Sequence, residues 1–176
     1  MIALDTGVLL YGVQAARGSQ RRVRSEVEEG FIRRAAALID ELRLSGKRLM
    51  LPTPAAWEYV TGFAVEDQPD IWASFKDFAM IPVDQSAARI AARLARRHFD
   101  EALKSQKGQG KKIIRDQGPR QLIKVDMQIL AVAIAHRAEK IYTFETERFT
   151  HWADGLIQVA GPPGIEKRLF DPSNPP

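Results

Sequence analysis

Four acidic residues of this 176-residue chain, Asp5, Glu58, Asp126 and Glu145, stand where a carboxylate can do chemistry. Asp5 ends the apolar run Met1-Ile2-Ala3-Leu4 and meets Thr6-Gly7. Such a run, bounded by turn residues, suits a buried parallel strand. Ligands of open α/β sheets sit just outside the carboxyl ends of the strands. The plainer role for Asp5 is to cap the helix that follows. Glu145 lies just past a second strand-like run, Lys140-Ile141-Tyr142-Thr143, and Glu58 falls in the second turn of a helix that follows Leu49-Met50-Leu51. Asp126 is the most telling. Stepped at about 100° per residue, Lys124, Gln128 and Ala135 share one side of their helix. Asp126 falls nearly opposite, among Leu122, Ile129, Leu130 and Ala133. A carboxylate on the buried side costs on the order of several kcal/mol unless it is paired or metal-bound. Carboxylates crowded together raise one another's pKa until a cation neutralises them. Hard Mg²⁺ or Mn²⁺ suits oxygen ligands, and can activate water and stabilise the leaving oxygen of a phosphodiester.

The composition narrows the choice of cation. There is no cysteine, which excludes disulfides, thiolate zinc sites and cysteine nucleophiles. His98, His136 and His151 form no metal-ligand spacing, so oxygen donors and magnesium or manganese are favoured over zinc. Hydrophobic content of 45% and charged content of 27% are ordinary for a globular protein. The length suits one domain with a proper core. No apolar run reaches membrane-spanning length and no signal-like segment opens the chain, so a cytoplasmic protein is expected. The net charge of +4 and pI near 9.5 permit a polyanionic partner.

The elements that must position these acids follow in order. Val8 to Tyr11 open a first helix. Ser25 with Glu28 is a capping-box signature for a helix over 25–44, with Phe31, Ala35, Leu38, Ile39 and Leu42 at inward spacing. Residues 48–51 read as a second strand. Thr53 is the expected N-cap of the next helix, with Pro54 at its first position. Residues 71–78 read as helix, 79–83 as a third strand and 87–103 as an amphipathic helix. Residues 122–138 read as the helix of Asp126, 140–143 as a fourth strand and 155–159 as a fifth. The pattern predicts a three-layer α/β domain over 1–160, with a central parallel sheet of four to five strands flanked by helices. A Pro-rich tail, 161–176, is expected to be extended.

Residues 104–124 differ from their surroundings. Lys104, Lys107, Lys111, Lys112, Arg115, Arg120 and Lys124 face one acid, Asp116. Such a run is either a solvated loop or a phosphate-contacting one. Gly108-Gln109-Gly110 lacks the preceding strand and the third glycine of a dinucleotide fingerprint.

Four pieces of the chain together resemble the PIN-domain ribonucleases, in particular VapC-type toxins of toxin–antitoxin pairs. They are Ala3-Leu4-Asp5-Thr6; Leu51-Pro52-Thr53-Pro54 with Glu58 and Gly62; Lys124-Val125-Asp126 with Gln128-Ile129-Leu130-Ala131; and Ile141-Tyr142-Thr143-Phe144-Glu145. The resemblance covers residues 1 to about 160. It implies a parallel sheet between helices and Mg²⁺- or Mn²⁺-dependent RNA cleavage. The family's four acidic positions map onto Asp5, Glu58, Asp126 and Glu145, and its hydroxyl or amide position maps onto Thr6 and Gly7. It also implies a homodimer and a small antitoxin that blocks the acidic cleft. Two departures stand out. Gly7 replaces the usual Asn or Ser, and Glu145 is one methylene longer than the usual Asp.

The first functional reading is an endoribonuclease. Asp5, Asp126 and Glu145 would bind metal, and Glu58 would bind metal or position its water. Thr6, Lys107, Lys111, Lys112 and Arg115 would contact substrate, the basic residues through phosphates without reading bases. The second is a PIN-like domain that binds RNA or a protein without cutting, for which Gly7 and Glu145 are the motive. A phosphotransfer domain with Asp5 as nucleophile ranks behind, since a second aspartate is wanted where Gly7 stands.

Overall fold

The computed structural model describes residues 1–16, 25–107 and 117–164, with side chains described for 1–13, 25–98 and 125–164. Five short strands form one all-parallel sheet: β1 (Ile2–Leu4), β2 (Leu49–Pro52), β3 (Ala79–Ile81), β4 (Lys140–Tyr142) and β5 (Gln158–Ala160). Their order is β3-β2-β1-β4-β5. The described helices are α1 (Thr6–Ala16), α2 (Glu26–Leu44), α3 (Thr53–Thr61), α4 (Gln68–Ala73), α5 (Gln85–Lys107), α6 (Gln117–Ala135) and α7 (Thr146–Ala153). This is the expected three-layer α/β architecture.

Parallel strands need helical crossovers, and helices on both faces bury the sheet. Accordingly every residue of β1 and β2 is buried, and Val8, Leu9, Leu38, Ile129, Leu130 and Phe149 close over them. From β1 the chain adds β2 and β3 on one side, then crosses to place β4 and β5 on the other. The topological switch point therefore lies between β1 and β4, where a crevice opens beyond their carboxyl ends. Register locks the two together: Leu4 pairs with Tyr142, and Asp5 N–H donates to the Tyr142 carbonyl at 3.0 Å.

Several local expectations shift. Ser25 does cap α2, its hydroxyl accepting from Glu28 N–H at 3.2 Å. Thr53, by contrast, is already helical, and Pro52 holds the N-cap position without a side-chain bond because β2 runs straight into α3. The inward face of α2 uses Ile32 rather than Phe31. Helix α4 stops at Ala73, where the Ser74 hydroxyl takes the Ile71 carbonyl at 2.6 Å. Strand β5 starts at Gln158, because Asp154 and Gly155 adopt left-handed φ values of 47° and 76° and turn the chain first. The 165–176 part of the expected tail lies outside the described residues.

Candidate metal-binding and active site

A cleft of about 340 Å³ occupies the β1/β4 crevice, and Asp5, Thr6, Glu58, Asp126, Glu145 and Arg148 line its polar side. All four acids singled out in the sequence therefore meet in one place. Asp5 comes from the end of β1, Glu58 from α3, Asp126 from α6 and Glu145 from the turn before α7. Leu10, Tyr11, Phe31 and Phe144 form its apolar lining. Their rings pack at 4.7 Å between Phe31 and Phe144 and 5.4 Å between Tyr11 and Phe31, which is where Phe31 goes instead of the core.

Asp5 is 6% exposed and held by two donors. Thr6 N–H reaches its Oδ1 and the Thr143 hydroxyl its Oδ2, each at 2.8 Å. A simple N-cap would bond the amides two or three residues on. Asp5 instead ties β1 to β4. Burial pushes its carboxyl up to about 6; the Thr143 and Thr6 bonds oppose the rise, while Glu58 and Glu145 add to it. Thr6 also donates its hydroxyl to Glu58 Oε2 at 2.6 Å, so one residue fixes two of the acids.

Asp126 sits on the buried face of α6, as its helical position predicts, and is 8% exposed. Burial pushes it up to about 7, with the Arg148 guanidinium pulling it back and Asp5, Glu145 and Glu58 raising it further. Arg148 Nη2 lies 2.6 Å from Asp126 Oδ2 and also pairs with Glu145. Arg148 and Thr143 were not foreseen. The available signals were the i, i+3 spacing from Glu145 to Arg148 and a hydroxyl closing the fourth strand.

Of the remaining expected contacts, Thr6 is in the cleft. Lys111, Lys112 and Arg115 lie outside the described residues, as does the Lys107 side chain. By donor type the acids fit an oxygen-preferring divalent cation. Among the described residues, however, no three acidic or histidine side chains converge as a ready-made metal cluster. Arg148 is the cation that two of them meet.

A doubly wound parallel sheet with four carboxylates, two of them buried, gathered at its switch point defines a class of α/β domains that place an acidic site at that edge. The chain belongs to the PIN domain family, whose model matches residues 2–154. Solved structures similar in fold include VapBC2 from Rickettsia felis bound to a DNA fragment from its promoter. That match has 14% identity and a TM-score of 0.55, covering 92% of this chain and 98% of that one. DNA-bound VapBC from Salmonella typhimurium matches at 13% identity and TM-score 0.53, covering 91% and 96%. VapBC-1 from nontypeable Haemophilus influenzae matches at 15% and 0.50, covering 92% and 98%. No curated protein matches the chain in sequence. Among the described residues, no helix is long and apolar enough to cross a membrane.

Proposed function

We propose that this PIN-domain protein is a Mg²⁺- or Mn²⁺-dependent endoribonuclease that acts as the toxin of a toxin–antitoxin pair. The observation that carries the reading is the meeting of Asp5 and Asp126, both buried with raised pKa values, with Glu58 and Glu145 in one cleft at the switch point. Buried carboxylates destabilise a fold unless a cation or a proton neutralises them.

In this reading Asp5, Asp126 and Glu145 hold the metal, and Glu58 holds it or its water. A bound divalent ion supplies a water of lowered pKa and stabilises charge on the leaving oxygen. Thr6 keeps the Asp5 and Glu58 carboxylates in register through its N–H and its hydroxyl. Thr143 holds the second Asp5 oxygen, so the Asp5 lone pairs stay aimed at the cleft. Lys107, Lys111, Lys112 and Arg115 serve as phosphate contacts. The antitoxin partner and a homodimer rest on the resemblance to VapBC proteins.

Purified protein incubated with a mixed RNA pool, Mn²⁺ or Mg²⁺, and with or without chelator tests the reading. Cutting that requires metal and disappears in Asp126→Asn supports it. Cutting that persists in that variant removes the central residue. One observation favours a second reading, a PIN domain that binds RNA without cutting: Arg148 already stands between Asp126 and Glu145. RNA retention that survives chelator and weakens with salt, without cleavage, would select it.

A further inference from the structure

Arg148 is the one guanidinium lining the acidic cleft among the described residues. Its Nη2 contacts the carboxylates of both Asp126 and Glu145. Its Nε is buried with no hydrogen-bond partner, and its guanidinium lies 5.2 Å from the Trp152 ring centre. The side chain as a whole is 37% exposed, so it has room to swing toward solvent. Glu145 is 53% exposed and can follow it, whereas Asp126 is nearly buried and stays. A guanidinium and a divalent ion on the same two carboxylates repel each other and compete for the same lone pairs.

We propose that Arg148 is a built-in counter-cation, which pairs with Asp126 and Glu145 in the resting protein and must leave them before a divalent ion binds there. The inference rests on the metal-dependent reading above and adds a control to it. Among the described residues no three acids converge as a metal cluster, and two of the four in the cleft are engaged by Arg148. Metal binding selects the fraction of molecules with Arg148 swung out, and the apparent Kd rises in inverse proportion to that fraction. A purely structural ion pair would instead stay closed, and its removal would loosen the site without helping metal.

Calorimetric titration of the full-length protein with Mn²⁺ separates the two. Arg148→Ala and Arg148→Met should bind Mn²⁺ at least about tenfold more tightly than the parent, which corresponds to a swung-out fraction of about one tenth or less. Arg148→Met keeps an apolar stem against Trp152 and serves if the alanine variant folds poorly, as judged by circular dichroism. Arg148→Lys should fall between, because an ammonium keeps the charge but loses the planar fork. A second readout is Trp152 fluorescence during titration with Mg²⁺. Emission should change in the parent as the guanidinium leaves the ring, and should not change in Arg148→Met or in Trp152→Phe. Equal or weaker Mn²⁺ binding by both folded variants would overturn the counter-cation while leaving the metal site standing. Binding by neither parent nor variants would overturn the metal reading and the counter-cation with it.

Discussion

The Thr143 hydroxyl donates to Asp5 Oδ2 at 2.8 Å and accepts from Glu145 N–H at 3.0 Å. Thr143 is 138 positions from Asp5 and two from Glu145. One oxygen thus joins the carboxyl end of β1 to the turn that presents Glu145. Parallel pairing of β1 with β4 brings the two strand ends side by side, and Thr143 fixes what lies beyond them.

Thr143→Val keeps the shape and removes both bonds, leaving a buried carboxylate short of a donor and an amide short of an acceptor. Each buried polar group left unsatisfied costs about 1–3 kcal/mol. The variant should lose stability of that order at neutral pH in urea unfolding, and Mn²⁺ affinity should fall by about 10–100-fold, as for other residues that orient ligands. Thr143→Ser should retain most of both. A valine variant indistinguishable from the parent in both measurements would mean the hydroxyl orients nothing.

Helix α1 carries Asp5 and Thr6 at its start, and its seating on α2 depends on Gly12. A Cβ there would lie 2.5 Å from Ile39 Cδ1 and 3.3 Å from the Ala35 carbonyl oxygen. The overpacking costs about 1–3 kcal/mol and the better helix propensity of alanine returns up to about 1 kcal/mol, so Gly12→Ala should destabilise by about 0–2 kcal/mol. Adding Ile39→Val removes the clashing methyl and should recover part of the loss, which a double-mutant cycle by thermal melting measures. Additive losses would place the clash elsewhere.

How much of this site was legible depended on whether burial or pairing set each residue's place. Asp126 was legible because helical stepping alone puts it on the apolar face, and it is buried there. Asp5 and Glu145 were legible from apolar runs that end on an acid. Arg148 was not, because an arginine three residues after a glutamate reads equally well as an exposed helix pair. Its role appears only when α6 and α7 pack and bring Asp126 alongside. Phe31 fitted the inward spacing of α2 but lies one position off the buried stripe, where it packs against Tyr11 and Phe144 in the cleft lining. The fifth strand was placed early because the left-handed turn at Asp154-Gly155 has no periodicity to announce it.

Gly7 is one of the two positions where the chain departs from its resemblance, and the structure leaves room to reverse that. A Cβ at Gly7 would sit 3.7 Å from Phe144 Cδ2 and 3.8 Å from Asp5 Oδ2, ordinary contact distances. Gly7→Ser should fold normally. Within α1 it should gain a few tenths to about 1 kcal/mol from reduced chain entropy in the unfolded state. The new hydroxyl, standing beside Asp5, should also tighten Mn²⁺ binding in calorimetry. Tighter folding with unchanged metal affinity would show that this position faces the apolar wall rather than the acids.

The raised carboxyls give the metal-free protein a distinctive pH profile. Asp5 rises from 3.8 to about 6 and Asp126 from 3.8 to about 7. Between pH 4 and those values the folded protein keeps protons that the unfolded chain gives up. Their stabilising contribution is thus full below about pH 4 and is lost as pH rises through 6 for Asp5 and 7 for Asp126. A shift of two units is on the order of 2–3 kcal/mol for the buried Asp5. The Tm of chelator-treated protein should therefore fall between about pH 4 and pH 7 and level off above. Asp5→Asn should make the fall shallower between about pH 4 and 6, and Asp126→Asn should make it shallower all the way to pH 7. Metal ligands must be deprotonated to bind, so Mn²⁺ affinity should climb over the same window and offset the loss. A chelator-treated protein whose Tm holds level from pH 4 to pH 7, with both asparagine variants parallel to it, would show that the two carboxyls are ionised throughout and that the cleft does not store the strain assigned to it.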